Sequence, residues 1–304
     1  MIAKRISTFF PMKKTRFILA AAVVLLLFGI GESGSAEAQT QQGSKLVASD
    51  FVGDVGQGQS VAISADGNTA IVGASNTAWI YARSNGVWTQ QGSKLVSPGA
   101  IGGGLVNSVA ISADGNTAAI GGPSDNYGIG ATWIFTRSGA NWTQQAKLVG
   151  SGGVSNGNQG WAVGLSSDGN TVVVGAPSDN TPRNGYFGVG AAWIFKRSNG
   201  TWQQQGAKLV GSGWTPQING YTGQTVSSAQ GWAVAISGDG STVIVGGAMD
   251  DLFKGAVWFF ALSGGVWRQQ GNKLAGSVGS VALSADGSTT ITTGGQCPSC
   301  MGLT

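Results

Sequence analysis

Residues 108–149 read SVAISADGNTAAIGGPSDNYGIGATWIFTRSGANWTQQAKLV, and variants of this stretch recur along most of the chain. Its apolar period is two. Val109-Ala-Ile-Ser and Thr117-Ala-Ala-Ile-Gly flank Asp114-Gly115-Asn116, a signal for a tight hairpin turn, so they form strands one and two of a unit. After a loop of Gly, Pro, Ser, Asp and Asn from Gly121 to Gly130 comes Ala131-Thr-Trp-Ile-Phe-Thr-Arg, whose aromatic and β-branched content suits a pleated strand. The turn Ser138-Gly-Ala-Asn141 then reverses the chain into Trp142-Thr-Gln-Gln-Ala-Lys-Leu-Val, the fourth strand. A lone meander of this kind cannot bury two apolar faces, so such units stack.

Three marks set the repeat. The turn aspartate returns as Asp66, Asp114, Asp168, Asp239 and Asp286, at spacings of 48, 54, 71 and 47 residues. Strands three and four each supply a tryptophan, as Trp79/Trp88, Trp133/Trp142, Trp193/Trp202 and Trp258/Trp267, nine residues apart every time. Gln-Gln followed by Lys-Leu closes each unit, beginning at Gln41-Gln42. A period near 50 with four strands per unit predicts an all-β fold, a β-propeller of four-stranded antiparallel blades. About five blades are expected, four of them complete. The chain opens with a fourth strand (Gln41 to Val47) and closes with first and second strands (Val281 to Thr293), so one blade is expected to be split between the chain ends. The last copy lacks an Ala-Trp-Ile-Phe segment for its third strand.

Gly-Trp-Ala-Val-Gly-Leu-Ser-Ser-Asp-Gly-Asn-Thr-Val-Val-Val-Gly-Ala-Pro (160–177) resembles an FG-GAP repeat, the blade unit of integrin-α-type propellers, and most of all its bacterial secreted variety. The Gly-Ala-Pro half stands at Gly175-Ala176-Pro177, and the Phe-Gly half is replaced by Gly160-Trp161 and Gly231-Trp232. The resemblance implies a propeller used for binding or cell adhesion. Many such blades hold calcium in an Asp-x-Asp-x-Asp-Gly loop. Here that loop is shortened to Ser64-Ala-Asp-Gly-Asn and its relatives, offering one carboxylate where six to eight oxygens are wanted, so no metal and no cofactor is expected.

Residues 1–38 carry a basic start, an apolar run from Phe17 to Ile30 and Ala36-Glu37-Ala38, the pattern of a secretory signal peptide cut near Ala38. The run falls short of the roughly 20 residues needed to cross a bilayer. The expected organisation is therefore a signal peptide over 1–38, a propeller over 39–296 and a tail over 297–304. A secreted, periplasmic or cell-surface location follows, with no stable membrane insertion after cleavage. Without the signal the chain keeps 12 Lys and Arg against 11 Asp, so no nucleic-acid-binding field is indicated.

The chain has no histidine, which excludes Ser-His and Cys-His nucleophilic systems and His-ligated zinc. Cys297-Pro-Ser-Cys300 reads as a local disulfide or part of the tail. Asn141-Trp-Thr and Asn199-Gly-Thr read as turns. Five of the 11 aspartates occupy the repeated turn, where bonding to the local backbone is sufficient reason for them.

Length variation falls on one rim, that of the two-to-three loops and blade connections. The third repeat expands its loop over 178–187, and the fourth is preceded by an insertion over 211–230. These carry Arg183, Tyr186, Phe187, Trp214 and Tyr221, with Asp125, Asp179, Asp250 and Asp251 at related loop positions. Aromatic and amide-rich loops of this kind suit a carbohydrate or a cell-surface protein. The expected function is a non-enzymatic binding module. The alternatives are a polysaccharide-acting enzyme using the rim aspartates, or a structural module of a larger surface protein.

Overall fold

The computed structural model describes residues 41, 43–53, 56–102, 106–154, 156–182, 187–220 and 223–294, and the chain divides into two units, Met1–Gln42 and Gly43–Thr304. All the described strands lie in the second unit. The expected signal segment and the tail with Cys297 and Cys300 lie outside the described residues.

The second unit is built from antiparallel meanders. The first sheet runs β1 (Ser60–Ile63), β2 (Thr69–Ala74), β3 (Thr77–Ser84) and β4 (Val87–Gln90), in that order across the sheet. The second is β5 (Ser108–Ile111), β6 (Thr117–Gly122), β7 (Ala131–Ser138) and β8 (Asn141–Leu148). The third is β9 (Ala162–Leu165), β10 (Thr171–Ala176), β11 (Ala191–Ser198) and β12 (Thr201–Gln204). A small hairpin of β13 (Gln217–Ile218) and β14 (Thr225–Val226) precedes the fourth sheet. That sheet is β15 (Gln230–Ile236), β16 (Thr242–Gly247), β17 (Ala256–Ser263) and β18 (Val266–Gln269), with β19 (Leu274–Ala275) added beside β17. β20 (Ser280–Leu283) and β21 (Thr290–Thr293) pair only with each other.

Each hairpin between first and second strands is locked locally. Ser64 Oγ donates to Asp66 Oδ1 at 2.5 Å, the Asn68 N–H donates to the same oxygen at 2.9 Å, and the Thr69 N–H donates back to Ser64 Oγ at 2.9 Å. The same bonds recur around Asp114, Asp168, Asp239 and Asp286. The Ser284 hydroxyl, followed by the Ser288 N–H and hydroxyl, holds the Asp286 carboxyl down to about 2. At Asp114 burial pushes the carboxyl up, and the donors of Ser112 and Asn116 together outweigh it, so the net position is below the ordinary range. These side chains are turn-formers with their oxygens already in use.

The sheets stack as propeller blades do, through their first strands: β1 packs on β5, β5 on β9, β9 on β15 and β15 on β20. Ile71, Ile80 and Leu95 on the trailing face of the first sheet meet Val109, Ile111, Ile120 and Trp133 on the leading face of the second. The two following joints repeat this with Ile134 and Leu148 against Val163 and Trp193, then Ile194 and Leu209 against Val234 and Trp258. Each buried Val, Leu or Ile contributes about 1.5–3 kcal/mol. A ladder of backbone bonds crosses all the joints. The Ala65 N–H donates to Ala113 O at 2.9 Å, Ala113 to Ser167 at 3.0 Å, Ser167 to Gly238 at 2.9 Å, and Gly238 to Ala285 at 2.7 Å.

The expected joining of the two chain ends into one blade is not seen among the described residues. Leu46 and Ala48 do pack on Trp79 and Tyr81, where a preceding blade would place its Lys-Leu segment, yet 45–48 form no strand. Val61 and Ile63 of β1 stay 65% and 57% exposed, against 5% and 9% for Val109 and Ile111. Among the described residues no sheet stands before β1, so Val61 and Ile63 lack the cover that Ile71, Ile80 and Leu95 give Val109 and Ile111.

Candidate functional site

The variable rim is organised by two short turns of the same form, Asn158-Gln159-Gly160-Trp161 before β9 and Ala229-Gln230-Gly231-Trp232 at the start of β15. Both begin on a left-handed residue, Asn158 at φ 58° and Ala229 at φ 53°. Both then need glycine. A Cβ on Gly160 would lie 2.4 Å from Ala131 O, and one on Gly231 2.3 Å from Ala191 O. The glutamines reach back into the joint. Gln159 accepts from the Gly150 N–H at 2.6 Å and donates to Gly150 O at 3.0 Å, while Gln230 makes the same pair of bonds with Gly211 at 2.5 and 3.0 Å. Gly150 and Gly211 in turn lie against the indoles of Trp193 and Trp258, which are wholly buried. Each Gly-Trp turn is thus tied to a core indole through one buried amide.

The rings that these turns hold out converge. Trp161 and Trp232 lie 5.1 Å apart between centroids, and Phe187 stands edge-on to both, 5.5 Å from Trp232 and 6.5 Å from Trp161. All three are half-buried. Phe187 and Trp232 rest on Val226, Ala229 and Met249, so the loop over 178–187 and the insertion over 211–230 meet as neighbours. Backbone bonds join the same segments, from the Ala229 N–H to Gly188 O at 3.1 Å and from the Gln230 N–H to Val189 O at 2.9 Å.

Of the other expected site residues, Arg183, Tyr186 and Tyr221 lie outside the described residues. Trp214 packs, half-buried, against the joint between the third and fourth sheets, away from the three-ring cluster's own support. The aspartates divide. Asp125 (1% exposed) pairs with Lys147 at 2.8 Å and accepts the Ile101 N–H at 2.8 Å. Asp179 (1%) pairs with Lys208 at 2.5 Å and accepts the Val154 N–H at 2.7 Å. Asp250 (2%) pairs with Lys273, and its Oδ1 has no hydrogen-bond partner among the described residues. These three bind the Lys-Leu segment to their own sheet. Asp251 lies nearer solvent, held by Gln217 at 2.9 Å and Lys254 at 2.9 Å, with its carboxyl lowered by those two partners.

Trp161, Trp232 and their glutamines were not among the expected site residues. A signal for the indoles was present. Of 11 tryptophans, eight form the nine-residue pairs, and the three left over are Trp161, Trp214 and Trp232. Trp161 and Trp232 each follow Gln-Gly, and Trp214 lies inside the insertion over 211–230.

Residues 142–195 match the family model described as FG-GAP repeat. The chain carries an FG-GAP repeat. The matched stretch runs from the fourth strand of one sheet (β8) through the first three strands of the next (β9 to β11), so the FG-GAP unit is offset from the sheet by one strand. Trp161 and its turn lie inside that FG-GAP segment, and Phe187 closes its long loop. No curated protein matches the chain. Among solved structures it is similar to TolB from Acinetobacter baumannii (12% identity, TM-score 0.45, covering 78% of this chain and 49% of that one). It is also similar to a candidate 6-phosphogluconolactonase from Bacteroides uniformis (11% identity, TM-score 0.45, covering 72% and 55%). The chain spans about half the length of these structures.

Proposed function

We propose that this chain is a non-enzymatic binding module that acts outside the cytoplasm and engages a carbohydrate or a cell-surface protein through its variable rim. The observation that carries this reading is the half-buried cluster of Trp161, Phe187 and Trp232 where the two expanded loops meet. Rigid indoles with one face supported and another open lose little entropy on contact, which suits stacking on a sugar ring or receiving an apolar side chain. The opposite rim repeats the same closed Ser-Asp-Asn or Ser-Asp-Ser turn five times and offers no comparable variation.

The rim aspartates support binding better than catalysis. Asp125, Asp179 and Asp250 are buried and paired to lysines, a use that accounts for them without a reacting bond. The test is a glycan and surface-protein screen with the purified chain, repeated with Trp161→Ala and Trp232→Ala. Each substitution is expected to weaken the interaction by about thirtyfold, the effect of losing an anchor worth roughly 2 kcal/mol. Binding that survives both substitutions in a folded protein, or polysaccharide cleavage that disappears with Asp251→Asn, would replace this reading.

A further inference from the structure

In the first, third and fourth sheets the first glutamine of the Gln-Gln pair fastens the segment that leads into its sheet. Gln90 Oε1 accepts from the Ser49 N–H at 2.8 Å and from the Ser49 hydroxyl at 3.1 Å, and Gln204 and Gln269 make the same pair of bonds with Ser151 and Ser212. The Nε2 of each donates to a glycine carbonyl two residues on, that of Gly92, Gly206 or Gly271. In the second sheet both partners are gone. Pro98 stands where the other segments have serine, and it offers neither an N–H nor a hydroxyl. Gln145-Ala-Lys147 is one residue shorter than Gln91-Gly-Ser-Lys94 and has no glycine, so β8 runs on to Leu148. The Gln144 amide is left exposed, without a hydrogen-bond partner among the described residues. Ser97 Oγ, one residue before Pro98, is buried and has no partner there either.

The space left in this joint between the first and second sheets is a cleft of about 380 Å³, bordered by Trp142, Phe135, Leu95, Pro98, Gln144 and Asn141. Small-ligand pockets run from roughly 300 Å³ upward, so it is large enough to hold one. Its indole is fixed in advance, because the Trp142 ring N–H donates to Gln91 Oε1 at 3.0 Å and the Arg137 guanidinium lies 5.7 Å from the ring centre. A free primary amide both donates and accepts, which matches hydroxyl groups, and an indole matches the C–H face of a saturated ring. Among the described residues Lys94 is the one charged residue along the cleft, and its counterparts Lys147 and Lys208 lay their ammonium groups over indoles of their own sheets. We infer that this cleft binds one neutral sugar ring, with Gln144 bonding its hydroxyls and Trp142 packing against it. The site shares no residue with the cluster of Trp161, Phe187 and Trp232, and it stands whether or not that cluster binds anything.

The experiment is a titration of the isotopically labelled chain with glucose, galactose and N-acetylglucosamine, read on the indole N–H signals by NMR. The Trp142 signal, identified by its absence in Trp142→Phe, should move for at least one of them with a dissociation constant on the order of millimolar, as suits a single ring. Gln144→Ala should weaken this about tenfold, since the amide forms no bond in the unliganded chain and its loss is felt only by the sugar. Pro98→Ser supplies the N–H and hydroxyl that Ser151 and Ser212 give their glutamines, and it should close the site with the melting curve kept at or above that of the parent. Trp161→Ala with Trp232→Ala should leave the Trp142 titration as it was, which separates this site from the rim. A Trp142 signal that no sugar moves, a response that survives both Gln144→Ala and Pro98→Ser, one that is lost with the rim pair, or a preference for glucuronate over glucose would each overturn the inference.

Discussion

The two indoles of each blade sit nine residues apart and meet different surroundings. The first, at Trp79, Trp133, Trp193 and Trp258, is wholly buried, with its ring N–H donated to Asp50 or to the backbone carbonyl of Pro98, Ser151 or Ser212. The second lies at the joint. Trp142, Trp202 and Trp267 donate to Gln91, Gln145 and Gln205 of the preceding blade, and Arg137 and Arg197 lie over the first two of these rings. Replacing a core indole removes its packing and strands a carbonyl. Trp193→Ala should therefore cost about 3–5 kcal/mol, read as a lower melting temperature and denaturation midpoint. An unchanged melting curve would contradict the burial described here.

At the scale of the element, the loop between second and third strands owes its shape to one ion pair. Lys147, near the end of the fourth strand β8, and Lys208 and Lys273, from the segments after β12 and β18, fold back onto Asp125, Asp179 and Asp250. Lys208 also lies 5.8 Å from the centre of the Trp193 ring. Removing the lysine alone leaves a buried carboxylate without its charge partner. Lys208→Ala should lower stability by about 3–5 kcal/mol, and adding Asp179→Asn should return much of that loss. The exposed pair of Lys254 with Asp251 is the contrast, because water screens it and Lys254→Ala should leave the denaturation midpoint nearly unchanged. Urea denaturation of the three variants side by side checks both halves of the statement.

For the whole molecule, stability is shared between neighbours along a row of sheets. The third sheet is flanked on both sides, with every residue of β10 buried. Among the described residues β20 and β21 have a neighbouring sheet on one side only, and three of the four residues of β21 are exposed. Amide hydrogen exchange should follow this gradient, with β20–β21 exchanging about a hundredfold or more faster than β10. Uniform protection across both would contradict the one-sided packing of the last sheet.

Much of this architecture was legible from residues close together in the chain. Alternating apolar positions, Asp-Gly turns and the paired tryptophans report on strands and hairpins because those contacts lie within a few residues of one another. The hairpin aspartates could be assigned to turns for that reason. The three rim aspartates could not be told from ligand acceptors, since their lysines lie well along the chain, 29 residues away for Asp179 and 23 for Asp250. The convergence of Trp161, Phe187 and Trp232 was hidden for the same reason, as it depends on how two sheets lean together. Whether the chain ends share a blade was likewise beyond local patterning. The sequence by itself determined the repeating strand unit and its turns, through short-range sterics and hydrogen bonding. Only the tertiary structure decided which polar groups are buried in pairs, which rings meet and which faces stay open, because those follow from packing between distant segments.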